Sequence, residues 1–245
     1  IMQLREELGL NKGFWQGFID YIINALHGDF GVSYRTREPV FKEVFARFPN
    51  TLRLASLAIL ISIIVGIIVG IIQAVHQYSL FDNVVNGITL IFTSMPDFWF
   101  GLILIIICAV KLKLLPASGT KYWYSFILPG FTAAMNYTAG TIRLTRSSML
   151  EVIRSDYIRT AREKGLSERV VVYKHALKNA LLPVITLVGV NLGWQLGGTI
   201  VVEQIFAIPG IGTLMITAVR MKDTPVLMAS VLFTALLASI INLLT

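Results

Sequence analysis

Five long apolar runs constrain the fold of this 245-residue chain more than any other feature. The hydrocarbon core of a bilayer is about 30 Å thick, and a helix needs roughly 20 apolar residues to cross it. Only 14% of the residues are charged, whereas a typical soluble domain carries about 25%. The sequence therefore predicts an all-α, polytopic membrane helix bundle. Its five spans are predicted within residues 54–74, 83–110, 122–142, 179–202 and 224–245.

Two of these spans contain residues that interrupt a regular helix. Asp97 follows Pro96 inside the second run, so this span is predicted to be tilted or broken. The fourth span is predicted to begin near Pro183, because proline is well tolerated in the first turn of a helix. The chain begins at Ile1 and ends inside an apolar run, so further helix is expected upstream of Ile1 and after Thr245.

Glycine spacing predicts close helix contacts within the bundle. Gly66 and Gly70 form one pair four residues apart, and Gly189, Gly193 and Gly197 continue the same spacing along one helix face. Small residues allow helix backbones to approach in lipid, where no hydrophobic drive brings them together. Packing within this chain and contact with another subunit both fit the pattern.

The first fifty residues differ from the rest and predict a small folded region outside the bilayer. Residues 15–26 predict an amphipathic helix, and residues 27–31 predict a turn. Residues 41–48 predict a second short helix that Pro49 ends. The chain is thereby divided into an external region, residues 1–50, and a transmembrane domain, residues 51–245.

Several functions lack the residues that they require. The sequence has no Gly-x-x-x-x-Gly-Lys-Ser/Thr segment that could bind nucleotide phosphates. It also shows no recognisable pair of a catalytic nucleophile and a general base. His27, His76 and His175 are far apart, with no ligand spacing among them. We therefore expect no catalytic residue, no metal site and no cofactor in this chain. The net charge is +7, but no basic platform interleaved with aromatic residues suggests nucleic acid.

A polar stretch, residues 143–183, lies between the third and fourth spans and carries nine of the 21 Lys and Arg residues. Its pattern predicts a helix that Gly165 stops, a turn, and a second helix that Ser167 caps, followed by the membrane. A structured, charged element of this kind suits docking into a groove of another protein. This stretch is predicted to be cytoplasmic, so that residues 1–50 and the loops near 111–121 and 207–223 are external.

Two parts of this stretch resemble the coupling loop of ABC-importer permeases, most closely those of the dipeptide/oligopeptide/nickel branch. They are Asp156-Tyr157-Ile158-Arg159-Thr160-Ala161-Arg162-Glu163-Lys164-Gly165-Leu166 and His175-Ala176-Leu177-Lys178-Asn179-Ala180-Leu181-Leu182-Pro183. Other segments resemble the same branch, namely Gly28-Asp29-Phe30-Gly31, Ser94-Met95-Pro96-Asp97-Phe98-Trp99 and Val201-Val202-Glu203-Gln204-Ile205-Phe206. The general motif has Glu-Ala-Ala where Arg159-Thr160-Ala161 stands, and Gly165 to Pro183 is longer than usual. Both departures are usual in the peptide branch.

The resemblance implies a type I ABC importer permease fold in a bacterial or archaeal cytoplasmic (inner) membrane, and a transport role for peptides or related small solutes, including nickel complexes. It also implies the partners: a second related permease chain, two cytoplasmic ABC ATPase subunits that bind ATP and Mg, and an extracytoplasmic substrate-binding protein. The coupling motif that would dock on an ATPase subunit comprises Tyr157, Arg159, Thr160, Ala161, Arg162, Gly165, Leu166 and Pro183.

Polar residues within the spans are candidates for the translocation path, because such groups in lipid usually face protein or water. They are Asp97, Asn191, Trp194 and Gln195. Asp97 either binds a cationic part of the substrate or pairs within the bundle, whereas Glu203 is expected to hydrogen-bond locally near the external end of its helix. The alternative function is a secondary transporter driven by an ion gradient, although the sequence shows no internal repeat.

Overall fold

The structure, a computed structural model, describes residues 13–244, and helices form nearly all of it. Residues 1–12 of the predicted external region, and Thr245, lie outside the described residues. In chain order the α-helices are α1 (Phe14–Leu26), α2 (Val40–Val75), α3 (Leu80–Ser94), α4 (Asp97–Leu104), α5 (Ile127–Ile153), α6 (Asp156–Glu163), α7 (Glu168–Val170), α8 (Leu177–Gly198), α9 (Ile200–Ile205), α10 (Ile211–Met221) and α11 (Thr224–Leu244). The π-helices Ile105–Lys111 and Val171–Ala176 continue α4 and α7, and the 3-10 helix Trp123–Phe126 leads into α5.

Within residues 13–244, three helices are long and apolar enough to cross a membrane, namely Val40–Val75, Glu168–Gln195 and Thr224–Leu244. The pair Leu80–Ser94 and Asp97–Lys111 is a fourth candidate, and it is bent by 109°. The second span, predicted to be tilted or broken, is therefore broken. The predicted third span forms α5, whose 27 residues extend for about 40 Å. This helix is more polar than the others because neighbouring helices enclose much of its surface.

The predicted break at Pro49 is wrong, because α2 continues through this residue. The two residues that follow are held by side-chain hydrogen bonds to the other end of the chain. The Asn50 amide donates to the Pro209 carbonyl oxygen at 3.0 Å, and the Thr51 hydroxyl donates to Glu203 at 2.7 Å. These contacts, together with buried packing at Val40 and Val44, support a continuous helix across the site of the missing backbone donor.

Helix α5 lies at the centre of the bundle and packs along α2, with further contacts to α3, α4 and α8. The predicted pair Gly66 and Gly70 makes this approach possible. A Cβ atom at Gly66 would stand 2.6 Å from the Cβ of Thr141, and one at Gly70 would stand 2.6 Å from the Cβ of Thr145. In the other predicted series, Gly193 packs closely against Asn242 of α11, whereas Gly197 faces open space.

A second proline was also placed wrongly by the sequence. Pro183 lies inside α8, at the seventh residue, and not in the first turn of a membrane helix. The membrane helix instead begins at Glu168 and runs through the π-helix, so that no break separates it from the polar stretch. Valine and alanine residues on the inner side of this continuous segment are buried in the chain's own core, and this packing extends the helix upstream of the proline.

The segments predicted to be external contact one another at one end of the bundle. The Ser33 hydroxyl donates to Asp223 at 2.5 Å, and the Gly119 amide donates to the Phe206 carbonyl oxygen at 2.8 Å. Phe206 packs with Leu128, near the start of α5. The polar stretch packs at the other end of α5, around Met149. The bundle therefore places the two groups of segments at opposite ends, as the predicted orientation requires.

Alanine substitutions at two glycines are expected to act in opposite directions. In Gly70→Ala, the new methyl group meets the Thr145 side chain and stands 2.9 Å from the Ile142 carbonyl oxygen, so the free energy of unfolding should fall by about 1–3 kcal/mol. Gly87 in α3 has open space around it, so Gly87→Ala should raise helix stability by up to about 1 kcal/mol. Unfolding of the purified protein in detergent measures both changes, and equal effects would contradict the close packing of α2 on α5.

Candidate coupling site and translocation path

The candidate coupling segment, residues 154–167, is held against the membrane bundle by its inner face. Ile158 and Ala161 of α6 are buried among residues from three other parts of the chain: Ile71 and Ala74 of α2, Met149 of α5, and Val171, Val172, Ala176 and Ala180 of the following helix. Ala161 thus faces the chain's own core. Its small side chain allows α6 to lie close to the ends of α2 and α5.

The outer face of α6 and the turn after it are exposed and carry four of the other predicted docking residues. Tyr157 is 45% exposed, and its hydroxyl accepts a hydrogen bond of 2.8 Å from the Asn179 amide. Arg159 and Thr160 are exposed on the same helix, and Arg159 pairs with Glu163 at 3.1 Å. Leu166 is exposed in the turn that follows. The structure thus brings these four residues together on one outward surface.

Helix α6 ends where the sequence predicts, at a glycine. Gly165 has a φ of +77°, a left-handed conformation that favours glycine, and a Cβ atom there would meet open space. Arg162 closes the turn, because its guanidinium donates to Glu168 at 2.6 Å. Ser167 stands at the predicted N-cap position, although its side chain makes no capping hydrogen bond.

Pro183, the last residue of the predicted docking motif, does not belong to this surface in sequence or in structure. It lies in α8, 18 residues after Gly165 along the chain. It is exposed within the membrane-spanning helix. Its place in the motif is therefore explained by the membrane helix and not by the exposed face of α6.

Asp97 lies at the break between α3 and α4, and it is half-buried. The Asn136 amide of α5 donates to its carboxyl group at 2.5 Å. The amide oxygen of Asn136 has no hydrogen-bond partner among residues 13–244. The structure thus shows the pairing within the bundle that was one of the two alternatives for Asp97. The Asn136 amide oxygen therefore remains available as a hydrogen-bond acceptor beside the Asp97–Asn136 pair.

The other three candidates for the path do not share one surface. Gln195 is buried, and its amide donates to the Ala133 carbonyl oxygen of α5 at 3.2 Å. Trp194 is 70% exposed, next to Gly193 and Ala238 along a groove between α8 and α11. Asn191 is half-buried one turn earlier. Asp97 and these residues are therefore separate groups, since Gln195 packs inward and Trp194 points outward.

Sequence reasoning underestimated Glu203, which is fully buried and joins three helices. Its carboxyl oxygens accept hydrogen bonds from the Thr51 hydroxyl of α2 at 2.7 Å and from the Thr213 amide of α10 at 3.0 Å. The local bond from Thr199, at 3.3 Å, is the only one of the three that was expected. Gly210 and Gly212 lie so close that a Cβ atom at either would collide with this carboxyl group. The sequence signal for this hydrogen-bond network was the nearby segment Pro209-Gly210-Ile211-Gly212.

A second polar group was missed altogether. Asp82 at the start of α3 is buried and forms an ion pair of 2.7 Å with Arg146 of α5. The available signal was a single acidic residue between the first two predicted spans, with an arginine in the polar stretch 143–183. Within residues 13–244, no group of three or more His, Cys, Asp or Glu side chains is arranged to hold a metal ion.

Comparison with known proteins supplies the family. The profile of the family described as "Binding-protein-dependent transport system inner membrane component" matches residues 48–245. The chain belongs to this family. It is also 40% identical over 273 aligned positions to the dipeptide transport system permease protein DppB of Escherichia coli (strain K12), with 99% of this chain and 80% of that protein covered. It is 41% identical over 240 positions to the glutathione transport system permease protein GsiC of the same strain, with 98% and 78% covered.

Solved structures of ABC transporters share the fold of this permease. An inward-facing structure of the MetNI methionine ABC transporter matches with a TM-score of 0.70 at 18% identity, over 84% of this chain and 94% of that chain. An amino acid ABC transporter with histidines matches with a TM-score of 0.60 at 14% identity, over 83% and 94%. The predicted type I ABC importer permease fold is thereby confirmed.

The family assigns the function in outline. The chain is a multi-pass permease subunit of an ABC importer in the inner membrane, and it is not itself an enzyme, because partner subunits hydrolyse ATP. The alternative of a secondary transporter receives no support from these relatives. The external location of residues 1–50, the roles of the individual coupling residues and the absence of a cofactor from this chain remain predictions.

Removal of the Glu203 carboxyl group is expected to destabilise the permease. Glu203→Ala leaves the Thr51 hydroxyl and the Thr213 amide buried without their acceptor, so the free energy of unfolding should fall by about 3 kcal/mol. Glu151→Gln is the matched control, because Glu151 is exposed and a surface change of this kind alters stability by only about 0.5 kcal/mol. Thermal unfolding in detergent measures both, and a stable Glu203→Ala variant would show that the network is dispensable.

Proposed function

We propose that this permease imports short peptides or peptide-like solutes, and that the exposed face of α6 docks on an ATPase subunit. The observation that carries the substrate class is the likeness to the dipeptide and glutathione permeases over 98–99% of the chain, at 40–41% identity. Glutathione is itself a peptide, so the two relatives agree on a solute with amide bonds and at least one carboxylate. Nickel complexes stay a weaker prediction, because neither relative is named for them.

The geometry of the coupling segment supports docking in a direct way. Its inner face is anchored in the core by Ile158 and Ala161, while Tyr157, Arg159 and Leu166 remain exposed. An element that is rigidly attached on one side and uncovered on the other can transmit a displacement of its partner to the helices behind it. The ion pair between Arg162 and Glu168 stiffens the turn, since a bidentate arginine holds its carboxylate in a defined plane.

In the proposed cycle, this chain pairs with a second permease around the path. ATP closes the two ATPase subunits, which draws the two coupling segments together and turns the path towards the external binding protein. ATP and Mg belong to the ATPase subunits in this proposal. The permease therefore contributes shape and stiffness to the coupling step.

We assign a place beside the path to Asp97 and Asn136, because Asp97 lies at the break between α3 and α4 and Asn136 of α5 is hydrogen-bonded to it. Backbone groups freed by a break in a membrane helix must be satisfied by protein or by water, so breaks usually border cavities. Asn191 is assigned to the same path on weaker grounds, since it is half-buried in α8. Gln195 and Trp194 are better explained by packing against α5 and by the exposed groove beside α11.

Two substitutions at Gly165 test docking. Gly165→Val should reduce ATP-driven transport about tenfold or more, because a β-branched residue resists a φ of +77° and reshapes the turn. Gly165→Asn is the matched control, since asparagine tolerates this conformation and should retain more transport than the valine variant. Transport and ATPase activity of the complete transporter in proteoliposomes measure both. Unchanged transport together with unchanged ATPase stimulation in Gly165→Val would contradict the docking proposal.

The substrate class is tested with the cognate binding protein and the reconstituted transporter. Radiolabelled dipeptides, glutathione and a nickel chelate are offered separately under the same conditions. Accumulation of a peptide that depends on ATP and on the binding protein is expected. Accumulation of the nickel chelate alone, with no peptide uptake, would contradict the proposed substrate class and leave the ATP-driven mechanism intact.

A further inference from the structure

The coupling segment and the helix ends around it form one packed body. The cluster that buries Ile158 and Ala161 also contains Ile71 of α2 and Met149 of α5. Helix ends that share a single core move together, because a close-packed interior is not continuously deformable. A displacement of the coupling segment is therefore shared at once by the ends of α2 and α5.

Helix α3 follows directly after this body but is attached to it sparingly. Its two buried residues are Asp82 and Thr89, while Leu80, Val84 and Leu90 are exposed. Apolar side chains that face lipid give little directional hold, because lipid is as apolar as they are. The position of α3 relative to the body must therefore come from its few polar contacts.

The strongest of these contacts is a bidentate ion pair. The guanidinium of Arg146 donates through Nε to Oδ1 of Asp82 and through Nη2 to Oδ2, both at 2.7 Å. Asp82 is only 1% exposed, and the Arg146 side chain is 21% exposed. Gln73 of α2 donates to the same carboxylate at 3.2 Å, and so does Asn86 at 3.1 Å. The backbone amide of Tyr78 adds a further bond at 2.9 Å.

This arrangement holds α3 in one orientation, since the guanidinium and carboxylate must share a plane. A buried ion pair is weak evidence for stability, because burial of two charges costs about as much as their attraction returns. Its advantage over apolar packing is that it resists both sliding and rotation of one helix along the other. The pair therefore serves position more than stability.

Beyond the Asp82–Arg146 ion pair, α3 leads to the 109° break and to Asp97. Asp97 is joined to Asn136, which lies on the same helix as Arg146, ten residues earlier. Helix α4 then continues to the cluster around Leu128 and Phe206, and its Gly101 lies against Thr132 of α5. The bent pair α3–α4 therefore spans from the coupling body to the outer end of the bundle. The Asp82–Arg146 ion pair attaches this bent pair at the end that lies nearest the coupling segment.

We infer that the Asp82–Arg146 ion pair is the joint through which movement of the coupling segment reaches the broken helix pair α3–α4 beside the path. The inference rests on the proposed docking of the coupling segment. With the pair in place, α3 follows α5 as the segment moves, and the corner at Asp97 keeps its register with Asn136. Without it, the ATPase cycle displaces the body while α3 lags behind, so ATP is hydrolysed without transport.

The test is the double substitution Asp82→Asn with Arg146→Met in the complete transporter, reconstituted with its second permease, ATPase subunits and binding protein. Both charges are removed together, so no unpaired charge remains buried. The amide oxygen introduced by Asp82→Asn still accepts from Tyr78, and methionine occupies the volume of the arginine stem. Arg143→Met is the matched control, because Arg143 lies on the same helix one turn earlier and is exposed.

The expected result is a double variant that assembles with its ATPase subunits and keeps its basal ATPase activity, while transport per ATP hydrolysed falls about tenfold. The control keeps the wild-type ratio. An unchanged ratio in the double variant would overturn the inference. If the double variant fails to assemble, Arg146→Lys decides, because it keeps the charge but loses the bidentate geometry and should lower the same ratio.

Failure of the proposed docking is detected separately. Cysteine crosslinking between position 157 of the otherwise cysteine-free permease and the ATPase subunit, with Tyr157→Cys and Cys108→Ser, reports contact directly. Absence of any crosslink in the assembled transporter would remove the docking proposal and the inference with it. A crosslink combined with normal transport by the double variant would remove the inference alone.

Discussion

Helices α2 and α5 approach each other at Gly66 and Gly70, where threonine side chains of α5 lie against the bare backbone of α2. In lipid, such close contact replaces the hydrophobic drive that brings helices together in water. The contact extends from the apolar cluster around Leu54 and Leu128 to the cluster around Ile71 and Met149, which holds the coupling segment. The other helices pack onto this central pair, so both ends of the permease take their position from it.

The sequence predicted the broad organisation because apolar length and glycine spacing are local signals. The helical nature of the chain, the broken second span and the helix stop at Gly165 all follow from neighbouring residues. The two prolines at positions 49 and 183 were read as boundaries, and both lie inside helices. Local preference disfavours that arrangement. It is overridden by tertiary packing, through hydrogen bonds to Pro209 and Glu203 in one case and a buried helical face in the other.

The polar residues within the bundle were the hardest to place. Pairing within the bundle was one of two alternatives for Asp97, and its partner on α5 is 39 residues away with no sequence signal. Asp82 and Arg146 are 64 residues apart, and Thr51 and Glu203 are 152 residues apart. Such pairs depend on how helices are arranged in space, and a period of 3.6 residues carries no information about that arrangement. The exposure of Tyr157, Arg159 and Thr160 was easier to predict, because it is set within the single helix α6.

The partners of Glu203 have a consequence for how the chain is made. One partner, Thr51, is synthesised long before the glutamate, and the other, the Thr213 amide, is synthesised after it. While the segment between them leaves the ribosome, the carboxyl group has only part of its final hydrogen bonding, and a lone carboxyl group is costly in hydrocarbon. The full set of hydrogen bonds to the carboxyl group therefore requires α10. The Glu203 network is thus completed only late in synthesis, when α9 and α10 join the early helix α2.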